Sequence, residues 1–581
     1  MKRIVSACLL GIGLCGVVEG GSYAGLLPAD SALVVEVSNM KRILAEVEKS
    51  SLGRLWNDAK VQDFLGHPDL DKLMSGELDD TLGPAEKEQR RIQWEMMKML
   101  KGRILLGFRV EDDEPHIVAD LAPADYRQSL AMDQRLLELD KESEVTITRS
   151  RFMGVDVYCR RTPQTGNDPN AVTVSEQWSS LVGATLLVSP HREWVRKSIS
   201  RLKNSPAGLA PATSTVRISL DLPVFLDGIA KEAAEAREGT PELQGAPFPP
   251  PDPQRILAAL GLRETGVMRL EIALLADRAE VDFRLPVKDM EKGIFRLIDL
   301  SGVSPDIRVP YVAGGVVGYK ASRVDLFRVW QALPQIIMAT LPPERMMAVP
   351  GMIGWVNGTL GVDLGNDLLV HLGTQVVGVH IVEDGEQGSV TGIELKNELG
   401  LKSGLAKVFA QGGPLESRLG SSLKRETFRE NPVYEIGATN RTFAFSVADG
   451  YLFYGAGEAV RYALRALGDG GKGASRFYAS PMYRRLVQEI PRPVAAYSFA
   501  NLPELVRGGE QSGSGWNALE QALRAAAAAR SEQPFFANMD FSKMPGMAHF
   551  ASFFGPWFSY TEKKDNTIHS RTKLYYQSAT P

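Results

Sequence analysis

The sequence predicts an α+β fold made of two similar domains from an internal duplication. Largely antiparallel sheets are expected, packed by helices on one face. Three observations lead there. A valine-rich strand that runs into a capped amphipathic helix occurs four times. The elements between these units recur in the same order in both halves. Strand hairpins break the strict strand–helix alternation that a parallel sheet needs.

The first unit is ALVVEVSNMKRILAEVE. Valines make its strand, and Asn39 stands at the N-cap, where a side-chain oxygen accepts from first-turn N–H groups. Met40, Ile43, Leu44 and Val47 follow at helical spacing and share one face. STVRISLDLPVFLDGIAKEA repeats the unit with Asp221 as cap and Leu222, Phe225, Leu226 and Ile229 as stripe. GGVVGYKASRVDLFRVWQAL repeats it with Asp325 as cap and Leu326, Val329, Trp330 and Leu333 as stripe. In RPVAAYSFANLPELVRGG, Asn501 is the cap, and Gly508-Gly509 is expected to break the helix early.

The interval from Asn39 to Asp221 nearly equals that from Asp325 to Asn501. Between these anchors, GVDVYCRR corresponds to ENPVYEIG, and GATLLVSPHREWVRKSISRL to DGYLFYGAGEAVRYALRAL. A hairpin turning at Ala276-Asp277 corresponds to one turning near Asp565-Asn566. These matches in one order imply two similar domains, at 25–303 and 304–581, since the period is far too long for a solenoid. RILLGFRVEDDEPHIVADLAP reads as a further hairpin with an acidic turn, followed by the helix YRQSLAMDQRLLELDK.

The chain opens with Lys2-Arg3, an apolar stretch from Ile4 to Val18, and small residues ending at Ala24. That order predicts a secretory signal over 1–24, and the apolar stretch is too short to span a bilayer. A lipid anchor fits poorly: Cys8 lies too near the start, and Leu14 precedes Cys15 where a small residue is wanted. No other window suits a transmembrane segment, so the mature chain is expected to lack one. Cys159 would then stand alone, without an intrachain disulfide. A net charge of −4 over 581 residues, with no concentrated basic stretch, argues against a nucleic-acid partner.

Leu-Pro-Ala-Asp at 27–30, LGRLWNDAKVQDFL, GVDLGNDLLVHLGTQVVG and DGYLFYGAGEAVRYAL together resemble a family of exported bacterial proteins known as a domain of unknown function. The resemblance spans most of the mature chain. It implies a periplasmic, extracellular or envelope-peripheral location, and it brings no activity, catalytic residue or cofactor.

Chemistry-bearing motifs are sparse. No nucleophile elbow, P-loop or dinucleotide fingerprint occurs. The tetrads Ser200–Lys203 and Ser421–Lys424 lack the companion elements of penicillin-binding enzymes. His371 and His380 fall on opposite faces of one strand, against a shared metal. Glu111-Asp112-Asp113-Glu114-Pro115-His116 offers carboxylates to a divalent cation, but a solvated hairpin turn is the preferred reading. No catalytic, cofactor or metal residue is therefore assigned.

Methionines cluster beside a tryptophan in each half: Met96, Met97 and Met99 near Trp94, and Met346, Met347 and Met352 near Trp355. A third cluster holds Met539, Met544 and Met547. Methionine fills core gaps and also lines adaptable binding surfaces. The first two clusters mark a candidate apolar-ligand surface if they are exposed. The leading expectation is a non-enzymatic exported module that binds or scaffolds envelope proteins. The alternatives are a carrier of lipid or another apolar ligand, and an enzyme whose site is assembled from distant residues.

Overall fold

In the computed structural model, which describes residues 26–67, 72, 83–110, 112, 114–139, 146–165, 172–204, 215–238, 253–297, 307–312, 314–341, 346–383, 386–437, 442–492, 494–512, 521, 524–525 and 539–577, the strands form one antiparallel sheet of twenty. The first ten are β1 (Leu33–Val37), β2 (Ile104–Phe108), β3 (His116–Asp120), β4 (Thr146–Phe152), β5 (Val155–Thr165), β6 (Val172–Val182), β7 (Thr185–Ser189), β8 (Thr215–Asp221), β9 (Val267–Leu274) and β10 (Arg278–Pro286). They lie in the order β4-β5-β6-β7-β3-β2-β1-β8-β9-β10. The second ten are β11 (Val316–Arg323), β12 (Leu372–Glu383), β13 (Glu386–Leu395), β14 (Leu423–Phe428), β15 (Asn431–Ile436), β16 (Phe443–Ala448), β17 (Tyr451–Ala456), β18 (Ala496–Asn501), β19 (Phe554–Lys564) and β20 (Thr567–Tyr576). Their order is β14-β15-β16-β17-β13-β12-β11-β18-β19-β20, the same path taken a second time. β10 pairs with β20 from Arg278↔Tyr575 to Pro286↔Thr567, so the two halves share a continuous sheet. The expected boundary near 304 and the expected signal over 1–24 lie outside the described residues.

Helices cover both faces of this sheet, where one covered face was expected. Leu105, Val118, Val157 and Leu187 point to one face and receive Val195 and Ile199 of the helix Arg192–Asn204. Val37, Ile104, Ala119 and Val216 point to the other and receive Ile43 of the helix Met40–Lys49. The reason is written in β1: LVVEV has apolar residues on both sides of its pleat, as a doubly covered strand requires. The second half repeats the arrangement. Val377, Val390, Phe453 and Tyr497 pack under Val460, Leu464 and Phe477. On the opposite face Leu372, Ile393 and Val447 pack under Leu401, Leu405 and Val408.

The caps follow from local chemistry. Asn39 Oδ1 accepts the Arg42 N–H at 3.0 Å, Asp221 Oδ1 that of Val224 at 3.2 Å, and Asp325 Oδ1 that of Arg328 at 3.0 Å. After Asn501 the helix runs from Leu502 to Ser512, straight through Gly508 and Gly509. An interior glycine costs a helix only about 1 kcal/mol, which does not force an end. Asp325→Ala is expected to remove about 1 kcal/mol of stability, read as a lower urea midpoint. An unchanged midpoint would show that the helix Leu326–Thr340 is held by packing alone.

Candidate functional site

The two methionine clusters have different fates. Met99 is buried against Leu121 and Tyr126, and Met96 is half-buried. The side chain of Met97 lies outside the described residues. The helix Pro84–Met99 carries Glu, Lys and Arg for its wet side, so Met96 and Met99 can turn inward. The expectation of an open apolar surface at Met99 is therefore corrected: it belongs to the core. Met539 and Met544 likewise pack with Phe64 and Leu65.

The second cluster stays outside. The helix Ala348–Leu360, AVPGMIGWVNGTL, has no charged residue and so no polar face to turn to water. Val349 is its buried residue. Met346 is half-buried, while Met347 is 83% exposed, Met352 47% and Trp355 63%. The guanidinium of Arg418 stands 5.7 Å from the centroid of the Trp355 ring. This is an exposed apolar patch with the Arg418 cation at its rim.

A second constellation was set aside as a solvated turn, and the structure corrects that reading. The β2–β3 hairpin carries Arg109, Asp112 and Glu114 in its connection; Glu111 and Asp113 lie outside the described residues. β3 pairs with β7, and β7 ends in Ser189-Pro190-His191 before the helix Arg192–Asn204. The pairing thereby brings His116 and His191 together over Asp112. Asp112 Oδ2 lies 2.9 Å from His116 Nε2, and Oδ1 lies 2.9 Å from His191 Nε2. Ser189 Oγ is 2.9 Å from His116 Nδ1 and accepts the His191 N–H at 2.9 Å. Trp194 packs on the His116 ring at 5.1 Å. Arg109, clamped by Asp30 at 2.8 Å, places Nη1 3.6 Å from Asp112 Oδ2.

The electrostatics follow from this geometry. Burial alone would raise Asp112, but the hydrogen bonds from His191 and His116 outweigh it and hold the carboxyl below its ordinary range. Burial pushes His116 down, against the pull of Asp112. Asp112, His116 and Ser189 stand in the order of a nucleophile relay. Ser189 is fully buried, however, and its hydroxyl already serves the turn, so it presents no nucleophile to a substrate.

The other candidates remain apart. Cys159 is buried, and burial pushes its thiol up. Ser200 Oγ donates to the Arg196 carbonyl at 3.1 Å. His380 lies in β12, and His371 in the turn that precedes it. A concavity bounded by Arg308, Pro310, Gly471, Tyr478 and Tyr483 holds none of the residues above, and burial pushes Tyr478 up to about 12.

Across the middle of the sheet runs a chain of alternating charges that sequence reading missed. Arg103, Glu36, Arg217, Glu271 and Arg284 follow one another at 3.9, 3.7, 3.6 and 3.5 Å. Arg284 then meets Asp282 at 2.8 Å, Asp282 meets His569 at 2.9 Å, and His569 meets Glu562 at 2.8 Å. The Asp282–His569 contact joins β10 to β20.

No family model matches the chain. No curated protein matches it. A solved structure with partial likeness is crystal form I of TP0453, 12% identical, covering 49% of this chain and 87% of that one at a TM-score of 0.22. A likeness at that score carries no argument about fold or function.

Proposed function

We propose that this chain is an exported, non-enzymatic binding module that rests on the interfacial zone of a lipid bilayer through the helix Ala348–Leu360. The observation that carries the reading is a charge-free helix whose Met352 and Trp355 stand in water, with Met347 exposed at its N-cap. Exposed apolar patches of this kind mark interaction surfaces. Tryptophan suits the headgroup level, with an apolar ring and one polar N–H. Arg418 beside the ring supplies a cation for lipid phosphate. Among the described residues no helix is long and apolar enough to cross a membrane, which agrees with a peripheral contact. Burying three such side chains yields about 5 kcal/mol, enough for weak reversible binding.

The repeated strand path supports descent from an internal duplication. In that reading the halves diverged at this helix: the first half buried Met99 and the second left Met347 and Met352 outside. The basic, apolar and small-residue order of the first 24 residues supports export to the periplasm or beyond.

The test is flotation of the mature chain with vesicles of phosphatidylcholine and phosphatidylglycerol. The chain is expected to float with them, and the double variant Met352→Ser, Trp355→Ala to lose at least tenfold in bound fraction at unchanged melting temperature. A chain that stays unbound, or a double variant that floats equally well, would overturn the proposal. If native mass spectrometry then shows the same variant dissolving a protein complex, the patch is a protein interface instead.

A further inference from the structure

We propose that Asp112, His116 and His191 form a site for one divalent transition cation of the zinc class. Their donor atoms lie within 4.8 Å of one another. Two imidazole nitrogens with one carboxylate suit zinc and its neighbours better than calcium or magnesium, which prefer oxygen alone. Zinc bonds of about 2.0–2.2 Å place tetrahedral donors roughly 3.3–3.5 Å apart. The present 2.9 Å contacts need only a slight opening, and His191, 45% exposed, is free to swing outward and admit the ion.

The site is built rather than accidental. The Asp112 side chain is 7% exposed and that of His116 is 1% exposed. Ser189 ties the His116 ring to the His191 backbone through one hydroxyl, touching His116 Nδ1 and accepting the His191 backbone N–H. A partner of this kind fixes the tautomer and orientation of the His116 imidazole. When His116 Nε2 binds a cation, its ring proton sits on Nδ1 and is donated to Ser189 Oγ. The Ser189 hydrogen then turns to the His191 carbonyl, 3.4 Å away. Three protein ligands leave a fourth position open, the pattern of sites that exchange water for another ligand.

Arg109 works against the cation. Its Nη1 lies 3.3 Å from His191 Nε2 and 3.6 Å from Asp112 Oδ2, with Asp30 fixing the other edge of the guanidinium. Removing that charge is expected to tighten binding. The trio is the one group of this kind among the described residues, so one ion per chain is expected.

The experiment is calorimetric titration of chelator-treated mature chain with zinc chloride, with magnesium chloride as comparison. One zinc per chain is expected, with no matching magnesium signal. His191→Ala and Asp112→Asn are expected to weaken zinc at least tenfold, and Arg109→Gln to tighten it severalfold. His191 is half exposed, so its variant keeps the fold, checked by an unchanged melting temperature. Cobalt(II) bound in place of zinc is expected to show visible absorption bands that vanish in His191→Ala. No zinc uptake, or uptake indifferent to both His191→Ala and Asp112→Asn, would overturn the site.

Discussion

Phe453→Ala is expected to remove about 3–5 kcal/mol of unfolding free energy, the range for a large aromatic deleted from a packed core. Phe453 is fully buried in β17, and its ring meets Tyr311 edge-on at 4.9 Å. Tyr311 in turn belongs to the segment Ile307–Val312, which enters the second half with little regular structure. Its backbone polar groups are buried and need partners. Tyrosines supply them. Tyr319 Oη and Tyr483 Oη both donate to the Ile307 carbonyl, at 3.0 and 3.1 Å. Val309 donates its N–H to Tyr478 Oη at 2.7 Å, and Tyr311 Oη donates to the Val377 carbonyl at 2.9 Å. A cavity at Phe453 would loosen the wall that orders Tyr311, so the loss is expected at the upper end of the range. Urea midpoints of Phe453→Ala and Trp355→Ala give the contrast, with the exposed tryptophan near zero. A Phe453→Ala loss below about 1 kcal/mol would mean this aromatic cluster is not the stabilising centre of the half.

Much of the fold was legible because local chemistry decided it. Asn39, Asp221 and Asp325 cap their helices as their short side chains and the following stripes require. The turn at Asp565-Asn566 was legible for the same reason: both residues take positive φ, 47° and 56°, which these types tolerate better than most. The joining of the halves was not legible. RAEVDFRLP and TIHSRTKLYY each alternate apolar and polar residues, which reads as a hairpin strand with one wet face. Nothing in either stretch says that they pair with each other across the chain.

The candidate sites divide along the same line. The methionine clusters in AVPGMIGWVNGTL and WEMMKML look alike in the sequence, as two sets beside a tryptophan. The discriminating signal was present: only the second lies on a helix with Glu, Lys and Arg to face water. The Asp112 cluster was harder. His116 and His191 lie far apart in the chain and meet only because β3 pairs with β7. A partial signal existed in Ser-Pro-His at a strand-to-helix junction, placed against an acidic hairpin turn.

Asp282→Asn is expected to cost about 3 kcal/mol, as removing one member of a buried charge pair does. Its side chain is 14% exposed and that of His569 is 16% exposed, and together they bond β10 to β20. The cost should depend on pH in a defined sense. Hydrogen bonds from Asp282 and Glu562 outweigh burial and raise His569 above its ordinary value of 6.5. Stability from a raised histidine is fully present below 6.5 and is lost as pH rises through the higher folded value. Burial would raise Asp282, but His569 and Arg284 outweigh it and hold it below 3.8. Stability from a lowered carboxyl is present above 3.8 and is lost as pH falls through the lower folded value. The pair therefore contributes most between 3.8 and 6.5. Burial lowers His116 and His380, which act in the opposite sense, but they are common to both proteins and cancel in a difference. The measurement is the gap in urea midpoint between wild type and Asp282→Asn, taken at about pH 5.5 and again at about pH 9. A gap that narrows at the higher pH places a charged His569 at the junction of the halves. A gap that stays constant or widens would mean that the charge on His569 adds nothing at this junction and that Asp282 acts through Arg284 instead.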